Sequence, residues 1–234
     1  MEEQISICEK TESHILKLFA YDKSYENQII GTDEAGRGPA AGGVFASAVY
    51  FPNFTDELIE ELSILNDSKQ LSKKKRESLY DTIKENTINS TICIEVDEIE
   101  RINILNASLK AMKLAVENVL EGAIKETGLN YRNFMVLVDG NKRIKDLSLA
   151  PQKWVIKGDS TSAAIAAASI LAKVSRDRYM EKLDEDFPEY GWSKNAGYLT
   201  KEHLNAIDKY GICKYHRPSF LKKHFAKQEQ LSLF

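Results

Sequence analysis

The stretch IIGTDEAGRGP, residues 29–39, decides how this chain is read. Ile29 and Ile30 lead into two adjacent carboxylates, Asp33 and Glu34, and a Gly36-Arg37-Gly38 turn follows, closed by Pro39. Neighbouring side chains of a regular strand point to opposite faces, so for both carboxylates to serve one site the strand is expected to break here. Gly36 and Gly38 permit a break, because glycine tolerates positive φ and lets backbone amides approach a ligand. An exposed strand end with an acidic turn explains the stretch equally well when it is taken alone. The rest of the chain separates the two readings.

The chain has 234 residues, 43% hydrophobic and 29% charged, the make-up of one large soluble domain with room for a modest appendage. Its longest unbroken apolar run, Ala163 to Ala168, is too short to span a bilayer, and Met1-Glu2-Glu3 lacks the basic start of a signal peptide. Cys8, Cys93 and Cys213 form no Cys-x-x-Cys pair, so neither a disulfide framework nor a zinc site is expected, and a reducing, cytoplasmic setting fits. The net charge of −3 excludes an indiscriminately basic nucleic-acid binder. Between Gly191 and Lys227, however, eight Lys or Arg face two acids, an asymmetry that suits a local phosphate-facing patch.

Strands and helices interleave along the chain, which predicts an α/β class. Residues 1–27 read as a helical cap, with Ile15, Leu16, Leu18 and Phe19 at helical spacing. Residues 28–35 and 43–51 read as a strand hairpin, and Leu58–Leu65 as a short helix. Ser72 caps a helix over 73–86, Thr91–Val96 is strand-like, and Asn103–Gly122 is a long amphipathic helix. FMVLV at 134–138 has the continuous apolar look of a strand buried on both faces. Trp154–Ile156 gives another strand, and a helix follows over 161–186, capped by Asp159 or Ser160 and crowded with alanines at its start. A basic, turn-rich region over 189–227 carries a helix near 200–209, and 228–234 forms a tail.

Asp33 and Glu34 end one predicted strand, Asp139 a second and Asp159 a third. Ligands of open α/β sheets gather at such carboxyl ends. Four converging carboxylates repel one another unless cations neutralise them, and oxygen ligands without Cys or His suit hard ions such as Mg²⁺ or Mn²⁺. Two ions about 4 Å apart form a clamp for in-line attack on a phosphodiester. Singly, Asp139-Gly140 is also a good turn and Asp159-Ser160 a good helix cap. Their joint placement carries the reading.

Seven segments in order then resemble ribonuclease HII, the type 2 ribonuclease H family: DEAGRGP (33–39), NDSKQLS (66–72), LVDG (137–140), KGD (157–159), AAASILAKVSRDR (166–178), GYLTKEH (197–203) and HRPSF (216–220). The resemblance implies a ribonuclease H-like mixed sheet flanked by helices, a core over 28–188, and a small helical C-terminal part. A related type with a long N-terminal domain is disfavoured by the roughly thirty residues before the motif. It also implies cleavage of the RNA strand of RNA–DNA hybrids and of single ribonucleotides embedded in duplex DNA. The cut would fall on the 5′ side of the ribonucleotide and leave a 3′-hydroxyl and a 5′-phosphate. Asp33, Glu34, Asp139 and Asp159 fall on the family's catalytic carboxylates holding two ions. Asp33 would bridge both, and Asp159 would help position the attacking water's ion. Gly36, Arg37 and Gly38 fall on its reader of the ribose 2′-hydroxyl, the group that separates RNA from DNA. Tyr198 falls on a tyrosine that packs at the ribonucleotide–deoxyribonucleotide junction.

Lys69, Lys201 and Arg217 are candidate phosphate contacts. Lys173 and Arg176 read as helix-surface charges, Asp177 as a structural acid between Arg176 and Arg178, and Lys73–Arg76 as a solvated helix start. Gly42-Gly43 stands where Gly-Pro is common in the family, and Leu199 where Pro is frequent; neither removes a ligand. The last five residues, Gln230-Leu231-Ser232-Leu233-Phe234, are similar to the short extended peptides that dock on the bacterial sliding clamp, with Gln230, Leu231, Leu233 and Phe234 as anchors. The expectation is a monomer without membrane contact. Two rivals remain: a non-catalytic hybrid-binding or clamp-tethered adaptor, opposed by the retained carboxylates, and a metal nuclease without ribose selectivity, opposed by the Gly-Arg-Gly turn.

Overall fold

The computed structural model describes the backbone of residues 14–231 and the side chains of 14–68 and 70–226. Ser232, Leu233 and Phe234, like Cys8 and the first half of the expected N-terminal cap, lie outside the described residues. Five strands form one mixed sheet: β1 (Gln28–Ala35), β2 (Val44–Tyr50), β3 (Ile88–Ile94), β4 (Phe134–Asp139) and β5 (Gln152–Val155). Their order is β3-β2-β1-β4-β5, with β1, β2 and β3 antiparallel in succession and β4 and β5 parallel to β1.

Side-chain alternation along the central strands divides the core between two faces. Ile29 and Leu137 point to one cluster, under α1 (14–23), α3 (Lys73–Asn86) and α6 (Ala163–Asp186). Ile30, Val136 and Val138 point to the other, under α5 (Ile104–Thr127). The alanine-rich start of α6 is buried all round, and Gly31 makes that possible. A Cβ on Gly31 would lie 2.2 Å from the Ala164 carbonyl carbon, so only glycine lets helix backbone rest directly on β1. This contact sets α6 across the strand that carries Asp33. A third apolar cluster joins Ala40 and Ala41 to the end of α6, to α7 (Trp192–Asn195) and to α8 (Lys201–Tyr210).

Several elements depart from expectation. The strand does not break between the two carboxylates. Instead β1 outruns its neighbour: pairing to β4 stops at Thr32–Val138, whereas pairing to β2 continues through Asp33–Ser47, Glu34–Ala46 and Ala35–Phe45. The site lies off that step. The short helix α2 is Asp56–Glu61, an unforeseen α4 (Val96–Ile102) precedes α5, and β3 begins three residues earlier than read, at Ile88. The cap of α6 is Ser162, whose hydroxyl accepts the Ile165 amide at 3.2 Å, and Asp159 sits instead in a separate single turn, Gly158–Ser160. A last helix, α9 (Pro218–Leu231), carries helical backbone through Gln230 and Leu231, where an extended peptide was expected. Among the described residues no helix is long and apolar enough to cross a membrane.

Candidate active site

A cleft of about 420 Å³ opens where β1 steps past β4. Asp33, Glu34 and Asp139 line it together with Gly36, Arg37, Gly38 and Tyr198. Asp33 is 6% exposed and accepts the Glu34 amide at 2.7 Å. Burial, then the charges of Glu34 and Asp139, hold its carboxyl well above the usual carboxylate range, against the lowering effect of a hydrogen bond from Ser169. Glu34 meets Arg37 Nη1 at 3.0 Å. Asp139 Oδ1 accepts the Gly158 amide at 2.7 Å, which draws the turn carrying Asp159 against the end of β4. Lys157 makes that turn by adopting φ +54°, and its carbonyl is capped by the Ser160 and Thr161 hydroxyls at 3.1 and 2.9 Å. Asp159 is buried there, next in chain to Gly158, but it does not line the cleft itself.

The acids fit divalent cations in charge and donor type. All donors are carboxylate oxygens, and Asp33 lies buried among like charges. Among the described residues no three acidic, histidine or cysteine side chains stand together closely enough to cage an ion unaided. Glu34 is turned to Arg37 and one Asp139 oxygen to the Gly158 amide, so the acids share a cleft without forming a closed cage.

The glycines of the turn have separate steric reasons. Gly36 has φ +99°, and a Cβ there would meet Arg176 Nε at 2.2 Å. Gly38 faces the ring of Tyr198, whose Cε1 would lie 3.3 Å from an added Cβ, while Tyr198 itself remains 53% exposed. Turn and tyrosine therefore form one wall.

Two arginines correct the sequence reading. Arg217, expected on a phosphate, is fully buried and donates to the Gly42 carbonyl at 2.9 and 2.6 Å and to the Pro39 carbonyl at 2.8 Å. Its donors are spent holding the loop behind the Gly-Arg-Gly turn. Arg176, expected on a helix surface, is 2% exposed and donates to the Ala41 carbonyl at 3.1 Å. Lys173 lines the cleft and pairs with Asp177 at 2.5 Å. Asp177 is an ion-pair acid as read, but its partners are Lys173 and Arg76 rather than its chain neighbours. Lys201 is exposed at the start of α8 and does not line the cleft; the Lys69 side chain lies outside the described residues. Sequence reasoning missed Ser68 and Ser169, buried hydroxyls 3.0 Å apart that also line the cleft. Both lie within the quoted motifs NDSKQLS and AAASILAKVSRDR, where a buried serine looks like a small filler.

The sequence profile of ribonuclease HII matches residues 30–228. A ribonuclease HII of Fusobacterium nucleatum is 45% identical over 214 residues, covering 91% of this chain and 94% of its own. Among solved structures, the ribonuclease HII of the PCNA complex from Archaeoglobus fulgidus superposes with a TM-score of 0.62 at 23% identity, covering 81% of this chain and 93% of its own. Bst ribonuclease HIII, solved with Mn²⁺, gives 0.61 at 17% identity, covering 83% of this chain and 66% of its own. Matched over most of its length and nearly half identical to a full-length relative, the chain belongs to the ribonuclease HII family of type 2 ribonuclease H endonucleases.

Proposed function

We propose that the protein hydrolyses the phosphodiester on the 5′ side of a ribonucleotide, in RNA–DNA hybrids and at single ribonucleotides within duplex DNA. The products are a 3′-hydroxyl and a 5′-phosphate. The observation that carries this reading is one cleft lined both by three carboxylates and by Gly36, Arg37, Gly38 and Tyr198. Charge chemistry and ribose reading are adjacent.

Asp33, Glu34, Asp139 and, across the Gly158 turn, Asp159 are the residues that would hold two Mg²⁺ or Mn²⁺ ions. Bound there, the ions supply a nucleophile at neutral pH and charge neutralisation on the phosphoryl oxygens. The protein's own share is positioning. Asp33 is fixed by the Glu34 amide and the Ser169 hydroxyl, and Asp139 by the Gly158 amide. The Gly-Arg-Gly turn brings backbone within reach of a 2′-hydroxyl, and a deoxyribose leaves that contact unmade. The exposed Tyr198 ring offers a flat face for the next sugar. Lys69 and the exposed Lys201 remain candidate phosphate contacts.

A labelled DNA duplex with one ribonucleotide, beside an all-DNA duplex, tests the reading. One metal-dependent cut 5′ to the ribonucleotide and none in DNA is the expected result. Binding without cleavage in either Mg²⁺ or Mn²⁺ would leave an adaptor, and cutting of the all-DNA duplex a nuclease without ribose selectivity.

The terminal Gln230, Leu231, Leu233 and Phe234 are proposed to dock on a sliding clamp. Support comes from their similarity to clamp-binding peptides and from the archaeal relative solved with PCNA. Because the backbone is helical through Leu231, docking as an extended peptide requires the last turn of α9 to unwind. Deleting residues 230–234 should remove clamp binding and leave turnover intact; unchanged clamp affinity sinks the assignment.

A further inference from the structure

The free edge of the sheet carries a surface that the cleft does not use. β5 is the last strand, and it exposes Trp154 at 43% and the following Ile156 at 70%. Over residues 141–157 five cations, Lys142, Arg143, Lys145, Lys153 and Lys157, face a single acid, Asp146, on a chain whose overall charge is −3. Lysine on an edge strand guards against strand pairing, but that purpose does not call for an exposed tryptophan. Here the ring has a cation set against it, with the Arg143 guanidinium 5.2 Å from its centroid.

The arrangement is held from beneath. Gln152 on β5 accepts the Ile144 amide at 2.8 Å and donates to the Ile144 carbonyl at 2.9 Å. Ile144 itself is buried in the core, which fixes the loop position of its neighbour Arg143. The edge also meets the end of β4 that carries Asp139. Gly140, next to Asp139, donates to the Val155 carbonyl at 3.0 Å, and Lys157 begins the turn that bonds Asp139. In register Trp154 lies beside Val138, which lies beside Thr32, so its ring leaves the sheet on the face opposite Asp33, and a strand leaving the cleft reaches it by passing round the edge at Lys157. Two strand spacings put β5 about 10 Å from β1, within a few nucleotides along a bound strand.

We propose that this edge is a second nucleic-acid contact, on which a strand of the duplex passing beyond the cleft sets its phosphates against Arg143, Lys142 and Lys157 and an exposed base or sugar face against Trp154. Aromatic faces with interleaved cations favour that occupant without sequence preference. The proposal rests on the nuclease reading of the cleft, but its test measures binding.

The chain has two tryptophans, and Trp192 is fully buried, so iodide quenching of fluorescence reports on Trp154. The full chain is titrated in EDTA with duplexes carrying one central ribonucleotide. One is cropped to a few base pairs on each side, and others are extended on the 5′ or the 3′ flank. Extension on one flank is expected to raise affinity about tenfold and shield Trp154 from iodide. Trp154→Ala and Arg143→Ala should each lose most of that gain, and Arg143→Ala should lower the log–log salt slope by about one. Trp154→Phe, which keeps a stacking face, should retain it. Equal affinity for cropped and extended duplexes, or iodide quenching that binding leaves unchanged, overturns the proposal and leaves the edge free for a protein strand. Failure of the nuclease reading looks different: the wild-type chain would cut none of these duplexes once Mg²⁺ or Mn²⁺ is restored.

Discussion

The acidic cleft and the loop behind it lie a few residues apart in the chain, at 33–34 and 39–43, and each packs against buried like charges that are satisfied differently. In the loop, burial and then the charge of Arg176 push the Arg217 guanidinium down to about 10, and burial lowers Arg176 as well. Yet their donors meet the carbonyls of Pro39, Ala41 and Gly42 in the same short segment. Weakly hydrated, planar guanidinium groups tolerate this setting, and the carbonyls gain partners they would otherwise lack. In the cleft, burial and two neighbouring acids push the Asp33 carboxyl up, and the hydrogen bonds from Ser169 and the Glu34 amide do not offset them. One region is complete within the protein. The other keeps a buried carboxyl at odds with its neighbours, the setting in which a proton or a cationic ligand is held, and perturbed groups of this kind cluster at functional sites.

Asp33→Asn attacks the incomplete side. Cleavage is expected to fall by about three orders of magnitude or more if, as proposed, Asp33 holds both ions, because an amide does not replace that carboxylate. The metal-free protein should become more stable, since the change removes a buried charge next to Glu34 and Asp139. Turnover within tenfold of wild type, or a lower melting temperature without metal, would break the contrast.

Arg217→Met attacks the complete side. It keeps length and apolar bulk but strips the partners from the Pro39 and Gly42 carbonyls. At about 1–3 kcal/mol per orphaned buried group, losing two costs roughly 2–6 kcal/mol, a fall of about 10 °C in melting temperature for a chain of this size. Thermal melting checks this. A phosphate-contact role would instead leave stability unchanged and weaken duplex binding.

These two residues also show what was legible in the chain. Asp33, Glu34 and Asp139 could be read because short motifs and strand ends put them in one place, and that is where chemistry needs them. Arg217 could not, because its partners lie 175 and 178 residues away in a loop whose carbonyl directions no pattern encodes. A cation in a basic stretch looks like a phosphate contact whether it faces solvent or core. Asp159 was placed at the right end of the sheet, but Ser162 took the cap because the extra turn at Lys157–Gly158 delays α6. The helix α9 escaped notice because 218–231 mixes charges with apolar residues and lacks a clear stripe. By contrast, β1, β4 and α3, with strong periodicity or an explicit cap, were read to within a residue at each end.

A third test sharpens the complete side through pH. His203 Nδ1–H donates to the Tyr198 carbonyl, which leaves Nε2 to accept from Trp192 Nε1–H at 3.1 Å. His216 Nδ1 accepts the Cys213 amide at 3.0 Å, so its Nε2–H points to His203 at 3.2 Å. Every ring nitrogen is committed, and a further proton displaces a donor. Burial, and the neighbouring ring in the case of His216, lower both groups, His216 to about 4. A folded value below the unfolded value of about 6.5 means the unfolded chain takes up protons first. Stability from this pair is therefore full above about pH 6.5 and is lost as pH falls towards 4. Melting temperatures of wild type should drop over that window more steeply than those of His216→Gln, which starts lower but removes one titrating ring. Parallel curves would show that His216 does not titrate with folding.

The smallest expected effect lies on the seam between the two regions. Gly38 sits in the turn, and an added Cβ would stand 3.3 Å from Tyr198 Cε1 and 3.8 Å from its hydroxyl. Its φ lies outside the left-handed region, so Gly38→Ala adds no backbone strain, and the exposed ring can yield by a few tenths of an ångström. Stability should stay within about 0.5 kcal/mol of wild type. Selectivity between a ribonucleotide and a deoxyribonucleotide should fall by a few-fold, because turn and ring no longer meet the sugar at their original spacing. Gly36→Ala is the internal reference. There φ is +99° and Arg176 Nε would lie 2.2 Å away, so the change must also displace a buried guanidinium and lower the melting temperature by several degrees. Should Gly38→Ala prove as destabilising as Gly36→Ala, the turn belongs wholly to the scaffold; a selectivity loss without a stability loss places Gly38 on the ligand's side of the seam.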